Sequence, residues 1–126
     1  MITDLIIKRS EWYRGKTYYG SKLVRAEDGL KCCLGFLGEA CGVPLTSMID
    51  IGTPEMMEEK SKKLFPSDYF SKTHLAYRSD LGHSILQTND DQHMSEEQRE
   101  STLIELFKQL DINLRFEDWS NHPSRV

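Results

Sequence analysis

The sequence predicts an α+β domain, with three to four helices packed on a small antiparallel sheet. Three observations carry that prediction. Ser95-Glu96-Glu97-Gln98 reads as a capping box and opens a helical stripe of Leu103, Leu106, Phe107 and Leu110 over residues 96–110. Ile112-Asn113-Leu114-Arg115-Phe116 alternates apolar and polar residues, the period of a half-buried strand. Asp28-Gly29 sits between two short β-prone runs, Lys22–Arg25 and Leu30–Cys32, as a hairpin turn does. At 126 residues the chain suits one domain, 1–126, with a frayed tail from Ser120.

The remaining elements follow in order. Thr3 is placed to cap a first helix over residues 4–14, with Leu5, Ile6, Trp12 and Tyr13 on its apolar side and Gly15 ending it. Thr17-Tyr18-Tyr19-Gly20 is aromatic and loop-like. From Cys33 the period changes: Cys33, Leu34, Phe36, Leu37, Ala40 and Cys41 share a helical face, which Gly42 and Pro44 terminate. Gly35 and Gly38 lie inside that helix and cost it propensity, so they should admit another backbone or a ligand. Thr53-Pro54 should open a helix that runs to Lys63, with Pro at its first position. Residues 66–82 read as irregular, residues 84–88 as a strand, and Asn89-Asp90-Asp91 as a turn.

Composition narrows the function classes. Charged residues make up 29% and apolar residues 38%, which fits a folded domain with solvated helix faces. No apolar run approaches the roughly 20 residues of a membrane span, and Met1-Ile2-Thr3-Asp4 lacks a basic leader, so a cytoplasmic protein is expected. Cys32, Cys33 and Cys41 are odd in number and lack CxxC spacing, so thiols are expected rather than disulfides or zinc. No cofactor motif is present. The net charge of −4 hides an asymmetry: residues 1–31 carry seven basic and four acidic side chains, residues 89–111 seven acids and two bases. Overall acidity disfavours duplex nucleic acid as a partner.

Three constellations bear chemistry. Cys33 at a helix N-terminus, near Lys31, has the setting that lowers a thiol pKa. A cysteine hydrolase or transferase would add His83 as base and Asn89 as orienting group. On a straight strand, however, those two residues stand roughly 20 Å apart, and buried cysteines commonly serve as small hydrophobes. Asn89, Asp90, Asp91 and His93 offer oxygen and nitrogen ligands, but they lack the twelve-residue calcium-loop pattern; an Asx turn before a helix explains them without a metal. Arg14, Lys16, Tyr18, Tyr19, Lys22 and Arg25 interleave charge with aromatic rings, a mixture that grips phosphate and stacks a base. The expected ligand-binding set is therefore Arg14, Lys16, Tyr18, Tyr19, Arg25, Asn89 and Asp90, without metal or catalytic residues. Its expected partner is an anionic, nucleotide-like small molecule or a protein, and a homo-oligomer is compatible with the sequence.

Trp12, Gly15, Leu23 to Arg25, Asp28-Gly29, Cys32-Cys33-Leu34-Gly35 and Asn89-Asp90 before an amphipathic helix resemble a group of small bacteriophage and bacterial proteins. These share a Cys-Cys-Leu-Gly segment and a later Asn-Asp. Residues 44–82 have no counterpart in that pattern. The resemblance implies a viral accessory protein in a host cytoplasm, binding stoichiometrically to block a host defence protein or to sequester its nucleotide signal. It assigns no activity to any residue.

Overall fold

The structure, a computed structural model, describes residues 2–14, 22–74 and 81–118. Its strands are β1 (Asp4–Lys8) and β2 (Asn113–Glu117); its helices are α1 (Cys33–Ala40), α2 (Glu59–Lys62), α3 (Ser67–His74), α4 (Leu81–Asp90) and α5 (Glu96–Lys108). The α+β class holds, with five helices among the described residues where three to four were expected, but the sheet is parallel rather than antiparallel: β1 pairs with β2 in the register Asp4↔Asn113 through Lys8↔Glu117. The pairing sets Leu5 beside Leu114 and Ile7 beside Phe116 on one face. Helices α1 and α5 pack against β1 and β2, α4 against both helices, and α3 against α4. The opposite face presents Asp4, Ile6, Lys8, Asn113, Arg115 and Glu117 to solvent.

The expected helix over 4–14 is a strand followed by a 3-10 turn at Arg9–Glu11. Leu5 and Ile7 are buried while Ile6 between them is exposed, a period of two. The stretch 84–88 is corrected in the other direction. It lies within α4, where Leu81, Ile85, Thr88 and Asn89 are buried at helical spacing. The 22–32 hairpin shrinks to one antiparallel bridge, Val24↔Lys31. Its turn is made as expected: Arg25 N–H donates to Leu30 O at 2.9 Å, Gly29 takes φ 74°, and the Asp28 carboxylate accepts from Leu30 N–H at 3.0 Å. The ladder stops there because Val24 also bridges Ile49, and Lys31 also bridges Trp12.

The segment after Thr53 is broken rather than one helix. A 3-10 turn at Pro54–Met56 gives way at Met57, which turns extended (ψ 167°) and buries its side chain before α2 begins. Helix α5 forms where expected. Ser95 Oγ accepts from Gln98 N–H at 3.1 Å and Gln98 Oε1 accepts from Ser95 N–H at 3.2 Å. Leu103 and Phe107 are fully buried on its inner side, each contributing about 2 kcal/mol of apolar burial.

Candidate functional site

Helix α1 begins without a cap of its own. Its N-cap residue, Cys32, offers no side-chain hydrogen bond to the first turn, which leaves the leading amide donors in need of acceptors. Asn89, from the last turn of α4, supplies one: its Oδ1 accepts from Cys33 N–H at 3.0 Å and from the Trp12 indole N–H at 2.8 Å. Its Nδ2 donates to Tyr13 O at 3.1 Å and Asp90 Oδ1 at 2.9 Å. Two lone pairs and two N–H groups are thus engaged, the full capacity of an amide. The Asn89 side chain is wholly buried. It ties the N-terminal segment, α1 and α4 together.

The same α4 terminus is held from below. Arg99 of α5 donates through Nη1 to Thr88 O at 2.9 Å and Asn89 O at 3.1 Å, and through Nη2 to Met94 O at 3.3 Å. Carbonyls at a helix C-terminus lack intrahelical donors and carry the negative end of the dipole, so a buried guanidinium suits them. Glu96 closes the arrangement, meeting Arg14 at 2.7 Å and Arg99 at 3.3 Å. Burial works to raise the Glu96 carboxyl, but the two guanidiniums outweigh it and hold it below its ordinary value.

Four of the seven expected ligand-binding residues fall among the described ones; Lys16, Tyr18 and Tyr19 lie outside them. The four converge on Trp12 and Tyr13. Arg14 lies over the Trp12 ring at 4.3 Å, Arg25 over the Tyr13 ring at 4.1 Å, and the Asn89 Nδ2 donates to both Tyr13 O and Asp90 Oδ1. Their roles differ. Arg14 is mostly buried and paired with Glu96, whereas Arg25 pairs with the exposed carboxylates Glu27 and Asp28 at 3.0 and 3.1 Å. Trp12 and Arg99 escaped the sequence reading as site residues, because an aromatic ring and one arginine among surface helix charges carry no local sign of a buried role. Asp91 takes the Asx-turn role, accepting from His93 N–H at 2.8 Å. Among the described residues no three His, Cys, Asp or Glu side chains gather as a metal site.

The Cys33–His83 alternative is not assembled. Cys32 and Cys33 are both fully buried. Burial pushes the Cys32 thiol up to about 12 and the Cys33 thiol well above its usual value, more than the helix terminus lowers them. His83 stands on the exposed side of α4, a third of a turn away from the direction of Asn89. No family model, curated protein or solved structure matches the chain. Three surface depressions lie away from the Trp12–Tyr13 cluster: 440 Å³ along α5 at Met94, Glu97 and Ser101, 360 Å³ at Ile2, Cys41 and Phe65, and 320 Å³ at Gln87, Asp91 and His93.

A thiol reagent at neutral pH should therefore label half-buried Cys41 first, with Cys32 and Cys33 reacting only on unfolding. The raised thiols also set a pH dependence. Between the ordinary value of 9.0 and about 12 the unfolded chain releases protons that the folded chain keeps, so stability falls as pH rises through that window. Urea titrations at stepped pH should show a shallower decline in Cys32→Ala than in the parent. Equal slopes would mean the thiols ionise in the folded state.

Proposed function

We propose that this chain is a non-enzymatic binding module of phage-accessory type, acting in a host cytoplasm. Its ligand is an anionic, nucleotide-like small molecule held around Tyr13 and Trp12, with Arg25 on the Tyr13 ring, Arg14 on the Trp12 ring and Asp90 linked to Tyr13 O through Asn89; Lys16, Tyr18 and Tyr19 of the expected set lie outside the described residues. One observation carries the reading: residues distant in sequence, basic, aromatic and Asx, come together at the two ends of segment 15–21, with Arg25 lying on Tyr13 at 4.1 Å. Arg25 is the residue suited to take phosphate. Its present partners Glu27 and Asp28 are exposed, and exchanging a surface ion pair for a phosphate costs little. Arg14, fixed by Glu96, positions the Trp12 side of the cluster. The inert buried thiols support the non-enzymatic part of the proposal. Thermal shift and calorimetry against cyclic and linear nucleotides test it. A binder is expected, with Arg25→Ala weakening it at least about tenfold through loss of a charge-assisted hydrogen bond. A complete absence of binding across the panel overturns the small-molecule reading.

A second reading, stoichiometric blocking of a host protein, is favoured by the apolar exposure of Leu45, Ile49, Met56 and Leu64, all within one stretch of the chain. The acidic face of α5 is less suited to that role than its sequence suggests. Glu100 is held by Arg9 through paired bonds of 2.7 and 2.8 Å and is not free for docking.

A further inference from the structure

The outer edge of β1 is complementary to itself. Asn113 N–H donates to Thr3 O at 2.8 Å, and the parallel register then turns the backbone groups of Leu5 and Ile7 toward β2. The N–H and C=O groups of Asp4, Ile6 and Lys8 point the other way, and no described strand or bridge pairs with them. Open edges of this kind recruit a further strand unless charge or shape prevents it. Two strands alone also make a marginal sheet.

We infer that two copies of the chain pair antiparallel along β1, about a two-fold axis through Ile6, to form a four-stranded sheet in the order β2–β1–β1–β2. In that register Asp4 lies opposite Lys8 of the second copy, Lys8 opposite Asp4, and Ile6 opposite Ile6. Leu5 faces Ile7 on the buried side. The sequence Asp-Leu-Ile-Ile-Lys is thus matched end to end, with two ion pairs flanking an apolar contact between Ile6 side chains that are 37% exposed in the single chain. Registers slipped by two residues set Asp4 against Ile6 or Ser10 and lose both ion pairs. The β2 edge is unsuited, because full overlap there sets Arg115 against Arg115.

Sedimentation velocity of the full chain across the micromolar range tests the inference. A dimer is expected. Ile6→Pro removes the central outward N–H without touching the β1–β2 ladder, and should give a folded monomer. Asp4→Lys and Lys8→Asp should each weaken the dimer about tenfold by opposing like charges at two symmetric positions. The double exchange, or an equimolar mixture of the two single variants, should restore it. A chain that stays monomeric at every concentration overturns the proposal, as does a dimer indifferent to the charge reversals. If Ile6→Pro fails to fold, the charge series, at exposed positions, still decides.

Discussion

Replacing Asn89 with leucine should destabilise the fold by about 4 kcal/mol, the sum of two buried polar groups and one part-buried one left without partners at about 1–3 kcal/mol each, with part relieved by local relaxation. The groups are the Trp12 indole N–H, Cys33 N–H and Tyr13 O, which all meet the Asn89 amide within 3.1 Å. Leucine keeps the branched heavy-atom framework and leaves no cavity, so the loss chiefly reports hydrogen bonding. Equilibrium urea unfolding measures it, and a loss below about 1 kcal/mol would mean that the amide is dispensable. Asn89→Asp separates the two halves of the amide. The remaining acceptor still serves Trp12 and Cys33, but the donor toward Tyr13 O and Asp90 is gone, and a second carboxylate stands beside Asp90. Its folded-state pKa should rise, so the variant gains stability relative to the parent as pH falls from 7 toward 5.

That amide also marks where the sequence stopped being readable. An Asn-Asp-Asp run is a turn signal, and the signal was honoured only at Asp91, which accepts from His93 N–H. Asn89 instead serves donors 77 and 56 residues away, and no local pattern announces so distant a partner. The same reason explains β1. Its alternation of buried Leu5 and Ile7 is too short to outweigh a helical pattern extended to Trp12, and its pairing partner begins at Asn113. Helices α1 and α5 and strand β2 were legible because their signals are local: a capping box, a glycine stop, and clean periodicity. Of the candidate site, the four described residues gather around Trp12 and Tyr13. The internal neutralisation of Arg14 was not legible, since Glu96 reads in sequence as a first-turn acid that favours its own helix dipole.

Gly35 and Gly38 look alike in sequence and should behave differently. Both were expected to admit a backbone or a ligand, and both are filled by protein. A β-carbon on Gly35 would lie 1.9 Å from Leu23 O and 2.8 Å from Leu23 C, both backbone atoms of a fully buried residue. That stretch of backbone is fixed on several sides, since Leu23 N–H donates to Ile51 O and Val24 bridges Lys31 and Ile49. Gly35→Ala must therefore push α1 away from Leu23, and a loss of at least about 3 kcal/mol is expected, at the upper end for overpacking. A β-carbon on Gly38 meets the Met48 sulfur at 2.5 Å and the Phe65 ring at 3.2 Å. Those are side-chain atoms, and a thioether has rotamers with which to yield. Gly38→Ala also gains about 0.5–1 kcal/mol of helix propensity, so its net loss should stay below about 2 kcal/mol. Thermal or urea unfolding of the two variants side by side measures the ordering. If Gly38→Ala proved the more damaging, the joint between α1 and the Leu23 backbone would not be the rigid contact that fixes where Cys33 meets Asn89.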